Sequence, residues 1–283
     1  MEVFLECLPC FLKQALEASR MATSDKDVQV RIMKETAALV CDFERYKCSP
    51  QLGREMHQIV KKHTGNSDPY RDIKDQNIKN ALEVYPWLKH FLFKKTDRLY
   101  WGLKIAAAGN IIDSAIYADI DIKGCVEKEV ERKFAVCDIK EFSDKMMHAK
   151  NLLIVADNAG ETVFDRVFIE EVLNLDITYA VRAEPIINDA TIEDARESGL
   201  GRCTNLISTG CNAPGLIIEE CDKKFLDLFY DADIVVSKGQ GNFESLSDEK
   251  RAIFFLLKAK CPVVAENLGV AVNDYVFKYK PFL

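Results

Sequence analysis

Apolar residues recur at helical spacing through the first third of the chain. Phe11, Ala15, Leu16 and Ala18 fall near one face of a stretch over about 10–22, the pattern of an amphipathic helix. Val28, Ile32, Ala37 and Val40 mark a second helix. Ser24 or Asp25 can cap it, because a short polar side chain there accepts from the free N–H groups of the first turn. Pro50-Gln51-Leu52-Gly53 opens a third, with Met56, Ile59 and Val60 inward. Residues 65–70 read as a turn, and helices are expected over about 74–82, 85–94 and 97–108. No strand pattern precedes that point.

From about residue 115 the pattern changes. Short β-branched runs at 152–156, 177–181, 205–208, 234–237 and 262–265 predict strands. Between them, 162–173, 192–195, 216–229 and 249–258 predict helices. Strands alternating with helices imply a mainly parallel sheet covered on both faces. The expected fold class is α/β: a helical N-terminal domain over 1–108, packed on a Rossmann-like three-layer α/β/α sandwich over 109–283. The change of texture itself falls between about 100 and 150.

Composition adds limits rather than a direction. The chain has 283 residues, 48% hydrophobic and 29% charged, which is ordinary for a globular protein with a sizeable core. A net charge of -7 and a pI of about 5.3 argue against nucleic acid, which favours a basic face. Small anionic ligands stay open, since a cleft can carry a local charge opposite to the whole. No run approaches the roughly 20 apolar residues of a membrane span. The start, Met1 to Cys7, is acidic and lacks a basic n-region, so a cytoplasmic protein with no membrane partner is expected. Most of the ten cysteines read as reduced thiols packing as small hydrophobes. Cys7 and Cys10 are set apart by their Cys-x-x-Cys spacing.

Polar residues crowd just after the expected strands. Asp157-Asn158-Ala159-Gly160-Glu161 follows the first, and Arg182 leads to Asn188-Asp189 after the second. Lys238-Gly239-Gln240-Gly241-Asn242 follows the fourth. In an open parallel sheet these loops share one edge, where ligands bind. Asp157 and Asp189 supply carboxylates and Asn158 an amide oxygen, hard donors suited to Mg²⁺, Mn²⁺ or a similar ion. Lys238, in a loop with Gly239 and Gly241, resembles a phosphate grip, and Arg182 supplies a second cation. Thr162 starts a helix whose N-terminus points at the same crevice. Taken singly, an Asp-Asn after a strand is more often a helix cap and a Lys-Gly a solvated turn; the convergence of several loops is what carries weight.

Several classes are excluded. There is no Gly-x-x-x-x-Gly-Lys-Ser/Thr loop and no Gly-x-Ser-x-Gly elbow. The four histidines are scattered without a His-x-x-x-His pair, which argues against a zinc hydrolase. A methyltransferase would need a glycine-rich loop after its first strand, where this chain has only Gly160.

With these loops the chain resembles the metal-dependent damage-control phosphatase family, formerly a domain of unknown function. Cys7-Leu8-Pro9-Cys10 and Gly241-Asn242-Phe243-Glu244 resemble its subfamily I. Ser67-Asp68-Pro69-Tyr70, Gly109-Asn110-Ile111-Ile112-Asp113 and Ile187-Asn188-Asp189 extend the match over residues 7 to about 267. The resemblance implies a helical part packed on an α/β/α sandwich. It implies a divalent cofactor (Mn²⁺, Ni²⁺, Co²⁺ or Mg²⁺) on Asp157, Asn158 and Asp189, and hydrolysis of phosphate monoesters such as sugar phosphates or damaged phosphometabolites. It places Lys238 near the phosphate, and Asn110 and Asp113 in an element reaching the cleft. Arg182, Asn242 and Glu161 complete the expected phosphate-binding set. Asp113 and Glu161 are both candidates to deprotonate the attacking water.

Two other readings stand beside it. One is a non-catalytic protein that binds a phosphorylated metabolite through the same cleft. The other is a redox or metal module on Cys7 and Cys10, with Cys41 or Cys48 as further ligands; a helix start stabilises a thiolate there, whereas a plain structural role makes them a pair of core thiols.

Overall fold

A computed structural model of the chain describes residues 1–110 and 122–282. Three helices, α1 (Cys7–Ala22), α2 (Lys26–Cys41) and α3 (Ser49–Thr64), pack on one another at the N-terminus. Phe11, Ala15, Ile32, Leu52, Met56 and Val60 fill their common core, the inward faces expected from spacing. Asp25 caps α2, its carboxylate accepting from the N–H groups of Asp27 and Val28. α4 (Arg71–Phe93) and α5 (Arg98–Ala108) follow. The two helices expected over 74–82 and 85–94 are one, running through Pro86. A proline removes one helical hydrogen bond and clashes with the carbonyl four residues back. Here Ile78, Ala81, Val84, Leu88 and Leu92 keep one continuous buried face across it, and packing outweighs the local preference.

α6 (Ile122–Glu131) leads into the sandwich, where β1 (Phe134–Cys137), α7 (Ile139–Met146), β2 (Asn151–Val155), α8 (Glu161–Val172), β3 (Asp176–Val181), α9 (Ile192–Glu197) and β4 (Asn205–Ser208) follow in turn. The chain ends with α10 (Lys223–Asp231), β5 (Ile234–Lys238), α11 (Gln240–Leu246), β6 (Ile253–Lys258), α12 (Pro262–Leu268) and β7 (Tyr275–Lys280). The sheet order is β1-β7-β6-β5-β2-β3-β4. All neighbours are parallel except β6 and β7. This is the mainly parallel α/β/α sandwich with a helical N-terminal part that the sequence predicts.

Strands buried on both faces read as unbroken apolar runs, and two clusters show why. Leu152, Ile154, Tyr179, Val236 and Phe254 face α5, α7 and α8. Leu153, Val155, Ala180, Val235 and Phe255 face α10, α11 and α12. The last two expected elements are exchanged. Residues 253–258 are a strand, not a helix, because Ile253-Phe254-Phe255-Leu256-Leu257 is buried on both sides. Periodicity cannot separate such a run from a buried helix. Residues 262–265 are the start of a helix, with Pro262 in its first turn and Val264, Ala265 and Leu268 inward. Proline favours that position and is excluded from inner strands. The expected helix over 216–229 starts only at Lys223, and β1 and β7 have no counterpart in the sequence reading.

α3 and α4 reach the sandwich through charge as well as packing. Buried Lys74 pairs with Asp68 at 2.9 Å and with Asp194 of α9 at 3.1 Å. Asp194 also closes the capping box of Thr191. Lys74→Met leaves two carboxylates facing each other, and an equilibrium urea titration is expected to show a loss of about 3 kcal/mol.

Candidate active site

β2 and β5 are adjacent, but β2 connects onward to β3 on its other side. The direction of winding therefore reverses between them, and a crevice opens at the carboxyl ends of the strands. Asp157 and Asn158 follow β2 there, and Asp189 arrives on the loop after β3. The backbone fastens these two loops together. Ala190 N–H donates to the Asp157 carbonyl and Ala159 N–H to the Asn188 carbonyl, both at 2.8 Å, so Asn158 and Asp189 form an antiparallel bridge. Ile187 turns the loop with φ 45°, a left-handed conformation that costs a β-branched residue about 1–3 kcal/mol and is found mainly where function fixes the backbone.

The donor chemistry fits a hard cation. Asp157, Asn158 and Asp189 are buried yet line one cleft. Among the described residues the Asp157 carboxylate receives no hydrogen bond. Burial, then the charges of Glu161 and Asp189, push its pKa well above the usual carboxylate range. Burial also raises Asp189, against the pull of Arg182, whose Nε donates to Oδ2 at 2.7 Å. Asn158 Nδ2 donates to Glu161 Oε1 at 3.1 Å, which turns the amide oxygen away from Glu161. Neighbouring carboxylates raised in this way are the arrangement a divalent ion neutralises. Among the described residues no three His, Cys, Asp or Glu side chains converge on a metal position; the donor set is two carboxylates and an amide.

Gly239 makes room for this arrangement. Its φ is +84°, and a Cβ there would lie 2.1 Å from Asp157 Oδ2. Gly239→Ala must displace that carboxylate or the β5–α11 turn. A fall in metal affinity of at least about 10-fold, read by calorimetry, is expected.

Other expected site residues lie behind the cleft floor. Lys238 is 2% exposed, not poised in an open glycine loop. Its Nζ donates to Glu161 Oε2 at 2.6 Å, Asp165 Oδ1 at 2.7 Å and the Ala106 carbonyl at 3.1 Å. All three N–H bonds of an ammonium are thereby used. Burial opposes the charge on Lys238, but Asp165 and Glu161 hold its pKa above the usual lysine value. Asp165 is itself pushed up to about 6 by burial, against the pull of Lys238, and accepts from Tyr179 at 2.6 Å. Glu161 also accepts from Asn110 Nδ2 at 2.7 Å, so Asn110 reaches the site through Glu161. Asn242 is a fastener: it accepts from Arg182 Nη2 and the Leu216 N–H and donates to the Ala156 and Lys238 carbonyls. Asp113 lies outside the described residues.

The cleft holds about 900 Å³ and is walled by α1, α3, α11 and the loop after β6, a volume in the range of small-molecule sites. Cys7 and Cys10 line it, at the first and fourth positions of α1. Burial pushes the Cys7 thiol up, opposite to the stabilised thiolate expected of a helix start. Cys41 and Cys48 do not line this cleft. Lys260 was not foreseen: it lines the cleft and also a small inner cavity beside Glu161 and Lys238. Reading 253–258 as a strand would have placed it at the same sheet edge as Asp157 and Asp189. Asp165 was also missed, although a carboxylate four residues after Glu161, amid Val163, Phe164, Val167 and Phe168, is a signal of a buried partner on one helix face.

An open α/β/α sandwich with an oxygen-rich cleft at its switch point defines a class of small-molecule site. Residues 3–276 match the damage-control phosphatase ARMT1-like domain, and the chain belongs to that family. It is 37% identical over 276 residues to a damage-control phosphatase of Pyrococcus horikoshii, covering 95% of each chain. It is 34% identical over 283 residues to an uncharacterized protein of Methanocaldococcus jannaschii, covering 96% of this chain and 93% of the other. The crystal structure of a DUF89 family protein from Pyrococcus horikoshii superposes with a TM-score of 0.89 at 36% identity, over 98% of both chains. No helix among the described residues is long and apolar enough to cross a membrane.

Proposed function

We propose that this protein is a phosphatase that hydrolyses phosphate monoesters of small metabolites, sugar phosphates and damaged phosphometabolites among them. A divalent cation (Mn²⁺, Ni²⁺, Co²⁺ or Mg²⁺) would be held by Asp157, Asn158 and Asp189. The observation that carries this is the pair of charge-frustrated carboxylates beside an amide on two backbone-fastened loops, at the floor of a cleft sized for a metabolite. Relatives named as damage-control phosphatases support the same reading.

A cation held by Asp157, Asn158 and Asp189 would supply Lewis-acid polarisation of the phosphoryl group and activation of water. The chain's own residues do the rest. Arg182 holds Asp189 by Oδ2 and leaves Oδ1 without a donor among the described residues. Glu161 holds the Asn158 amide, while Lys238 and Asn110 hold Glu161. With both oxygens engaged, Glu161 acts by orienting the Asn158 amide. Lys260 brings the cleft a positive charge against the transferring phosphoryl group.

The test is phosphate release from a panel of phosphomonoesters by chelator-stripped protein, with and without each cation. Release that requires the cation is expected. Saturable ester binding without release under any cation would instead make the protein a non-catalytic binder.

A further inference from the structure

Glu244 lines the same cleft as Asp157 and Asp189, and nothing in the phosphatase chemistry above uses it. Its side of α11 is fixed by its neighbours: Asn242 is tied into the sheet edge, and Phe243 packs edge-on to Phe255 at 5.1 Å. The carboxylate is held by one oxygen only. Gln240 Nε2 donates to Oε1 at 2.8 Å, and among the described residues Oε2 accepts nothing. Gln240 cannot turn away without loss, because its Oε1 accepts the Lys260 N–H at 2.8 Å and its Nε2 also reaches Cys261 Sγ at 3.4 Å. Burial raises the Glu244 pKa to about 6, against the pull of Gln240 and of the chain's amino terminus, and the half-buried carboxylate faces the cleft with half its acceptor capacity unused. Such a group gains from a donor brought by a ligand and is hostile to another anion. The cleft is also far larger than a phosphoryl group, so its remaining volume falls to the alcohol part of the ester.

We propose that Glu244, held by Gln240, is the leaving-group subsite of this cleft, accepting hydroxyl or ammonium donors from the alcohol of the ester and disfavouring alcohols that carry a second anion. The substrate class is then a phosphomonoester of a donor-rich, non-anionic alcohol. This rests on the phosphatase reading. Glu6, just before α1, and Glu17 of α1 line the same cleft, as do the cations Arg20 and Lys260, which extends the bias away from the floor.

The test compares wild type with Glu244→Gln and Glu244→Asp, using Mn²⁺ and four esters: a hexitol phosphate, phosphoethanolamine, a phosphoglycerate and a sugar bisphosphate. Thermal melts first confirm that both variants fold. For the first two esters Glu244→Gln should raise KM by about 10-fold or more, since a hydrogen bond to a charged group is lost, with kcat within about threefold. For the two anionic esters KM should stay level or fall. Equal changes in KM across all four esters would overturn the subsite. Hydrolysis of none of them by wild type, under any cation, counts instead against the phosphatase reading. Then thermal protection by the free hexitol or ethanolamine decides the subsite: protection lost in Glu244→Gln supports it, and protection equal in both proteins, or absent from both, sinks it.

Discussion

Asp157→Asn should lower cation-dependent phosphate release by more than about 100-fold, since even outer-shell changes at metal sites cost ~10–100-fold. The same substitution should leave the metal-free protein as stable as wild type or more so. Asp157 is buried beside Asp189 and Glu161, and an amide of the same shape removes one of three neighbouring negative charges. Relief of that repulsion is worth about 1 kcal/mol or more in a partly desolvated site. The divergence between function and stability is the diagnostic part. Melting curves should show wild type gaining stability on addition of Mn²⁺ through mass action, while Asp157→Asn gains little and starts higher. A variant that loses activity and also melts well below wild type without metal would mean that Asp157 serves the fold rather than a cation.

Lys238→Met should be the most destabilising single change at the site, by about 3–5 kcal/mol, the usual cost of removing one partner from a buried ion pair. Methionine fills much of the same space, so the loss is chiefly electrostatic. Glu161 and Asp165 would then face each other across the vacated ammonium position, and the Ala106 carbonyl would lose its donor. Asp165 already sits near a pKa of about 6 beside its cation. Without Lys238 its protonation should be easier still. A raised folded-state pKa means that the folded protein binds the extra proton, so stability is highest at low pH and is lost as pH rises through that value. The deficit of Lys238→Met relative to wild type should therefore be smaller at pH 5 than at pH 8 in urea titrations. Adding Asp165→Asn to Lys238→Met should recover part of it, because one uncompensated charge disappears. A deficit that is independent of pH and unrelieved by the second substitution would assign the cost to packing instead.

The sequence by itself determined the class of fold and the sheet edge at which its polar loops gather. Strands buried on both faces must be written as apolar runs such as Leu152-Leu153-Ile154-Val155, and helices between them force parallel pairing. The polar segments at Asp157, Arg182 and Lys238 then fall at one edge by topology alone. The apolar run Ile253–Leu257 was ambiguous because burial on both faces erases periodicity, and only the neighbouring strands β5 and β7 make it a strand. That ambiguity concealed Lys260, whose place in the cleft follows from the strand ending two residues earlier.

The tertiary structure alone decided which polar residues face the cleft and which stand behind it. Lys238 and Asn242 carry the same signal in sequence as residues that grip a ligand, yet both spend their hydrogen bonds on the protein. Their roles depend on partners far along the chain: Asp165 and Ala106 for Lys238, Leu216 and Arg182 for Asn242. Cys7 and Glu244 are 237 positions apart in number, most of the chain's 283 residues, and share a wall only because α1 and α11 fold against the same cleft. Local pattern encodes which elements form; burial and charge pairing between distant elements fix what each polar side chain is free to do.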